Sequence, residues 1–156
     1  MLERFTDLDE RLAVGSHPHA PEHLDQLQEA GVTAVLNLQT DEDLGLRGVQ
    51  WAFLWQLYTQ RRIRVARVPI TDHAPEELTE LLGEAVEQVQ RFMEADRKVY
   101  IHCSAGLNRS PTVLIAWLVK HRGMSLEDAE RWLQQRHSCV PYPEVIRRWL
   151  GEEVSP

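Results

Sequence analysis

A short strand-prone run that stops at a cysteine, a tight loop, and an arginine at the head of a helix constrain this chain more than any other stretch. Val99-Tyr-Ile-His-Cys-Ser-Ala-Gly-Leu-Asn-Arg-Ser-Pro111 opens with apolar, β-prone residues and ends its strand at His102 and Cys103. Ser104, Ala105, Gly106, Leu107 and Asn108 separate that cysteine from Arg109. The run Val113, Leu114, Ala116, Trp117, Leu118 and Val119 follows, apolar almost all round as in a buried helix. A loop of this kind turns its N–H groups around a small oxyanion, and the helix N-terminus adds partial positive charge from the same side. Gly106 at mid-loop supplies the positive φ that such a tight turn needs. Arg109 offers a planar fork for two further oxygens. Cys103 in that field is expected to be a thiolate, hence a nucleophile aimed at phosphorus.

The rest of the chain builds a frame for this loop. Arg11 to Ser16 is strand-like, Pro21 starts a helix that Gly31 closes, and Val32 to Leu38 is a nearly continuous apolar strand. Gln39 to Gly48 is a polar, acidic connection. Trp51 to Tyr58 is an aromatic-rich segment with the spacing of a helix packed on a sheet. Arg64 to Ile70 is the next strand, and from Pro75 a helix carries Leu78, Leu81, Leu82, Ala85, Val86, Val89, Phe92 and Met93 at helical spacing. Ser125-Leu-Glu-Asp128 is a capping box opening another helix, and Tyr142 to Leu150 a last short one. The expectation is an α/β fold, a central and mostly parallel sheet flanked by helices. Residues 1–150 form one domain and 151–156 a frayed tail, with the site at the C-terminal end of a strand.

A formal net charge of −7 argues against nucleic acid and anionic membrane surfaces as partners. Two cysteines without a Cys-x-x-Cys pair point to a reducing compartment, and Met1 to Glu10 is too charged for a signal peptide. The expected location is cytoplasmic, with no membrane span and no obligate protein partner.

His102 before the cysteine and Ser110 after the arginine complete His-Cys-x-x-Gly-x-x-Arg-Ser. On these residues the chain resembles the cysteine-dependent dual-specificity class of protein tyrosine phosphatases. The resemblance implies a phosphocysteine formed on Cys103 and phosphate binding and transition-state support by Arg109. It also implies thiolate support by His102, breakdown of the intermediate eased by Ser110, and no metal or organic cofactor. The leaving oxygen needs a proton from a loop reaching over the pocket. In that family an aspartate about thirty residues upstream serves, just after a strand, and Val68-Pro-Ile-Thr-Asp72-His-Ala-Pro matches; Asp72 is the general acid, with His73 as runner-up. Asp96, Asp41 and Asp43 are read as solvated surface charges.

Wider stretches resemble the laforin and starch-excess glucan phosphatases: Leu12-Ala-Val-Gly-Ser16, Gly31 to Thr40, and Gln135-Arg-His-Ser-Cys-Val-Pro141. Cys103, Ala105, Gly106 and Arg109 match that group's loop, whereas Asn108 replaces its last glycine. The substrate implied is a phosphorylated protein, with a phosphorylated glucan as the alternative. A catalytically silent phospho-binding module is the reading from another class. Trp51, Trp55 and Tyr58 are candidate linings of a substrate channel, since aromatic faces stack on sugars and phosphotyrosine rings. Trp117, Trp132 and Trp149 are expected in the core, Cys139 beside His137 as structural, and Arg147 and Arg148 on a solvated face. Arg61, Arg62, Arg64 and Arg67 are assigned to one exposed face, with some positive potential for the approach.

Overall fold

The computed structural model describes residues 1–152. Five strands form one sheet: β1 (Phe5–Asp7), β2 (Leu12–Gly15), β3 (Ala34–Asn37), β4 (Arg64–Arg67) and β5 (Val99–His102). Seven helices accompany them: α1 (Pro21–Glu29), α2 (Asp41–Leu46), α3 (Trp51–Gln60), α4 (Pro75–Glu94), α5 (Arg109–Arg122), α6 (Leu126–Gln134) and α7 (Pro143–Trp149). The sheet order is β1-β2-β5-β3-β4, parallel throughout except for β1, which runs antiparallel to β2.

Strand alternation divides the core in two. Leu12, Val14, Leu36, Val99 and Ile101 face one side and pack with α4 and α5 residues such as Leu82, Val86, Leu114 and Leu118. Ala13, Val35 and Tyr100 face the other, against Leu24 and Leu27 of α1 and Leu54 and Tyr58 of α3. Every residue of β2, β3 and β5 is buried, as expected of parallel strands covered on both faces. Removing the Ile101 side chain to alanine would cost about 2–5 kcal/mol. α5 is buried from Arg109 through Leu118, and Gly123 closes it in the left-handed conformation at φ 68°.

Three segments differ from the sequence expectation. The connection after β3 contains α2, because Thr40 and Asp43 form a reciprocal capping box around an acidic first turn. Phe5–Asp7, unassigned from sequence, pairs with β2. The expected frayed tail begins instead with two ordered residues. Gly151 (φ 81°) donates its N–H to Arg148 O and Glu152 to Arg147 O, the pattern of a Schellman cap on α7. The remainder of that tail, 153–156, lies outside the described residues.

β2, β3 and β5 end at one level, Gly15 and Asn37 both opposite His102. The Cys103–Arg109 loop springs from that edge, between the neighbours that the chain winds out to on either side. This is the crevice where open α/β sheets bind ligands.

Candidate active site

Cys103 follows directly on β5, is only 3% exposed, and lies at the bottom of the loop. Among the described residues, no backbone N–H from Ser104 to Ser110 donates to a protein acceptor. Loop carbonyls, in contrast, are tied back to the frame. Ser104 O accepts from His17 N (3.0 Å), Gly106 O from His137 Nε2 (2.8 Å), and Leu107 O from Val140 N (2.8 Å). With its carbonyls held outward, the loop leaves its amides for an anion. Gly106 has φ 77°, and a Cβ there would sit 2.5 Å from the backbone carbon of Gly15. Only glycine lets loop and strand approach this closely.

Arg109 is 1% exposed yet has a fixed orientation. Nη1 donates to Asp43 Oδ2 and to Ile70 O, each at 2.7 Å, and Nη2 reaches Ser104 Oγ at 3.4 Å. Nε is buried without a hydrogen-bond partner, and Asp72 Oδ1 lies 3.5 Å away. One guanidinium edge is therefore anchored while the Nε edge remains for two oxygens of a tetrahedral anion. Burial pushes the Asp43 carboxyl up, but the bonds from Arg109 and Thr40 outweigh it and hold it below the usual range. Reading Asp43 as a solvated charge is thus corrected. It was legible in part, since Thr40-x-x-Asp43 is a helix-start signature.

Cys103 Sγ lies 3.3 Å from Ser110 Oγ, close enough for the hydroxyl to donate to a thiolate. His102 is fully buried, its Nδ1 3.0 Å from Cys103 O, and burial pushes its pKa down to about 3. The ring is neutral at physiological pH, so it holds the cysteine's backbone rather than supplying charge to the sulfur. Asp72 sits on the loop after β4, partly exposed beside Arg109. His73, adopting φ 56°, lies within 3.5 Å of both Asp72 Oδ2 and the Tyr142 hydroxyl.

Sequence reasoning passed over the role of the segment after α6. His137 spans Thr6 Oγ1 (2.7 Å) and Gly106 O, and Asn108 Nδ2 donates to Val140 O (2.7 Å). Asn108, the departure from the glucan-phosphatase loop, serves here as a strap. Burial raises the Cys139 thiol to about 11, which keeps it protonated.

The aromatic channel is corrected. Tyr58 is fully buried between α3 and the sheet and lines nothing. Trp55 is 50% exposed, but beside Arg64 and Arg97 at the N-terminal end of the strands, away from the loop. Trp51 alone lies towards the strands' C-terminal ends, under the Arg67 guanidinium at 4.9 Å. The arginine cluster also divides, with Arg61 paired to Asp25 and Arg67 to Asp41, both at 2.9 Å.

Among the described residues no group of three or more His, Cys, Asp and Glu side chains is placed to hold a metal ion, and no helix is long and apolar enough to cross a membrane. What remains is an amide cradle with a sulfur at its base, a buried guanidinium with one free edge, and a carboxyl at the mouth. These are the parts needed to bind a phosphoryl group and attack it.

Comparison with known proteins agrees with this geometry. Residues 12–152 match the family described as dual specificity phosphatase, catalytic domain. The chain belongs to that family. It is 32% identical over 138 residues to the phosphoglucan phosphatase DSP4, amyloplastic, of Castanea sativa, covering 87% of this chain and 37% of the relative. It is 27% identical over 129 residues to human dual specificity protein phosphatase 4, covering 83% of this chain and 29% of that protein. The chain thus spans well under half the length of these curated relatives. The solved structure of Tk-PTP in its active form superposes with a TM-score of 0.76 at 28% identity, over 97% of this chain and 96% of the other. The resemblance drawn from the loop residues is borne out, as is the α/β fold.

Proposed function

We propose that residues 1–150 form one catalytic domain that hydrolyses phosphomonoesters through a phosphocysteine. The observation that carries this reading is the convergence on one loop of Cys103 Sγ, the free Nε edge of Arg109 and the Asp72 carboxyl 3.5 Å from it. The Cys103 thiolate attacks phosphorus while the ester P–O bond breaks, and protonated Asp72 gives its proton to the leaving oxygen. Arg109 and the loop amides of Ser104, Ala105, Gly106, Leu107 and Asn108 stabilise the equatorial oxygens. Water then attacks phosphorus, Asp72 takes its proton, and the P–S bond breaks with Ser110 donating to the departing sulfur. His102 keeps the cysteine backbone in place. None of these steps calls for a metal or cofactor, and the two unpaired cysteines support a reducing, cytoplasmic setting.

The substrates we propose are proteins carrying phosphotyrosine, phosphoserine or phosphothreonine. The relative named a phosphoglucan phosphatase favours a second reading, a phosphorylated glucan. A silent phospho-binding module is disfavoured, because a binder needs neither Cys103 nor Asp72. Phosphate release from phosphopeptides and from phosphorylated starch, measured side by side, tests the choice. Good rates on peptides with none on starch support the first reading, and the reverse overturns it.

A further inference from the structure

At the N-terminal end of the strands, far from the Cys103–Arg109 loop, the C-terminal half of α3, the start of β4 and the turn before β5 line a groove of about 400 Å³. That volume falls within the range of about 300–1,000 Å³ typical of ligand sites. Trp55, half exposed, stands on one wall, with Arg62, Arg64 and Arg97 around it. Arg61 and Arg67, on either side in sequence, are neutralised by Asp25 and Asp41, whereas Arg62, Arg64 and Arg97 have no carboxylate within 4.0 Å among the described residues. Arg97 is instead held in place by Thr33 O at 2.9 Å. Three uncompensated guanidinium groups around one exposed indole, on a chain of net charge −7, form a local positive field that an anionic ligand would neutralise.

The backbone narrows the class of that ligand. β4 is an edge strand of the sheet, opposite β1. Arg64 N donates to Thr33 O and Val68 N to Asn37 O, so in a parallel pair the amide and carbonyl of Val65 point the other way, to the open edge. Val65 itself lines the groove. An extended peptide can add to that edge, place acidic side chains on the arginines and rest an apolar one on Trp55. A nucleic acid or polyphosphate can answer the charge but not the backbone. We propose that this groove is a docking site for an acidic, extended peptide segment of a protein partner, separate from the phosphate-binding loop.

The test uses the full chain and a fluorescein-labelled decapeptide of glutamates with a central leucine, followed by anisotropy. Arms in parallel carry the same peptide with lysines for glutamates, a ten-base single-stranded DNA, and inorganic polyphosphate. The proposal expects saturable, salt-sensitive binding of the glutamate peptide alone, weakened about tenfold or more in R62E/R64E and in W55A. Aryl phosphate hydrolysis should be unchanged in both variants, which also shows that they fold. R62Q/R64Q, without the reversed charge, should weaken binding to an intermediate degree. Binding that survives R62E/R64E, a lysine peptide bound equally well, DNA or polyphosphate bound as tightly, or no saturable binding would each overturn it. None of these outcomes bears on whether Cys103 is the nucleophile.

Discussion

Asp43 Oδ2 accepts a hydrogen bond from Arg109 Nη1 at 2.7 Å, and the same nitrogen donates to Ile70 O. The pair joins the first turn of α2 to the first residue of α5 across the mouth of the Cys103–Arg109 loop. Its consequence is orientation, because a guanidinium fixed at Nη1 can present only its Nε side to the pocket. Asp43→Asn removes the charge while keeping the shape. We expect kcat/KM for an aryl phosphate to fall about tenfold, or ~1.4 kcal/mol of transition-state stabilisation. Vanadate inhibition should weaken in parallel. Unchanged values in the variant would mean that Arg109 is held by the loop alone.

Asp72 lies beside that free edge, 3.5 Å from Arg109 Nε, and is the proton donor in the proposed reaction. Asp72→Asn should slow hydrolysis of an alkyl phosphate by about 10²–10⁴-fold, and hydrolysis of an activated aryl phosphate far less, since a stable phenoxide leaves without the proton. Steady-state rates on the two esters provide the comparison. Equal losses on both would move the acid elsewhere, with His73 next in line.

Gly106 combines φ 77° with direct contact to the Gly15 backbone. In Gly106→Ala the left-handed conformation alone costs about 1–2 kcal/mol, before the methyl meets Gly15. Thermal denaturation should show a drop of about 4 °C or more. Activity should fall further than stability, because the strand contact that shapes the amide cradle is lost.

His102 and His17 are both buried and neutral, their pKa values pushed down by burial to about 3 and about 4 from an ordinary 6.5. Below pH 6.5 the unfolded chain binds protons that the native state refuses, so stability falls as pH drops towards those folded values. Each group contributes a slope of up to about 1.4 kcal/mol per pH unit in that window. Urea midpoints should therefore decline as pH is lowered from neutral, and His17→Gln should make the decline shallower. A flat profile across the window would contradict burial of these rings in neutral form.

Much of this arrangement was legible in the sequence because its signals are local. The strand before Cys103, the helix after Arg109 and the Pro75 helix each carry their pattern within one segment, and a cysteine and arginine on one loop need no long-range fold to meet. Asp43 was not legible as a site residue, since its pairing with Arg109 spans 66 positions and depends on how α2 packs. His137 was missed for the same reason, bonding a carbonyl 31 residues away. Tyr58 and Trp55 misled because an aromatic cluster read in one dimension does not reveal which ring faces the core and which end of the sheet the helix covers. β1 is three residues long, too short for a period-two pattern to stand out.

In the proposed reaction the phosphoryl group passes through Cys103. Rapid quench into denaturant during turnover of a ³²P-labelled aryl phosphate, followed by digestion and peptide mapping at alkaline pH, shows where the label resides. One alkali-stable, acid-labile phosphoryl label is expected on Cys103, absent in Cys103→Ser, with that variant inactive while still binding vanadate. Label on another residue, or undiminished turnover in Cys103→Ser, would contradict it.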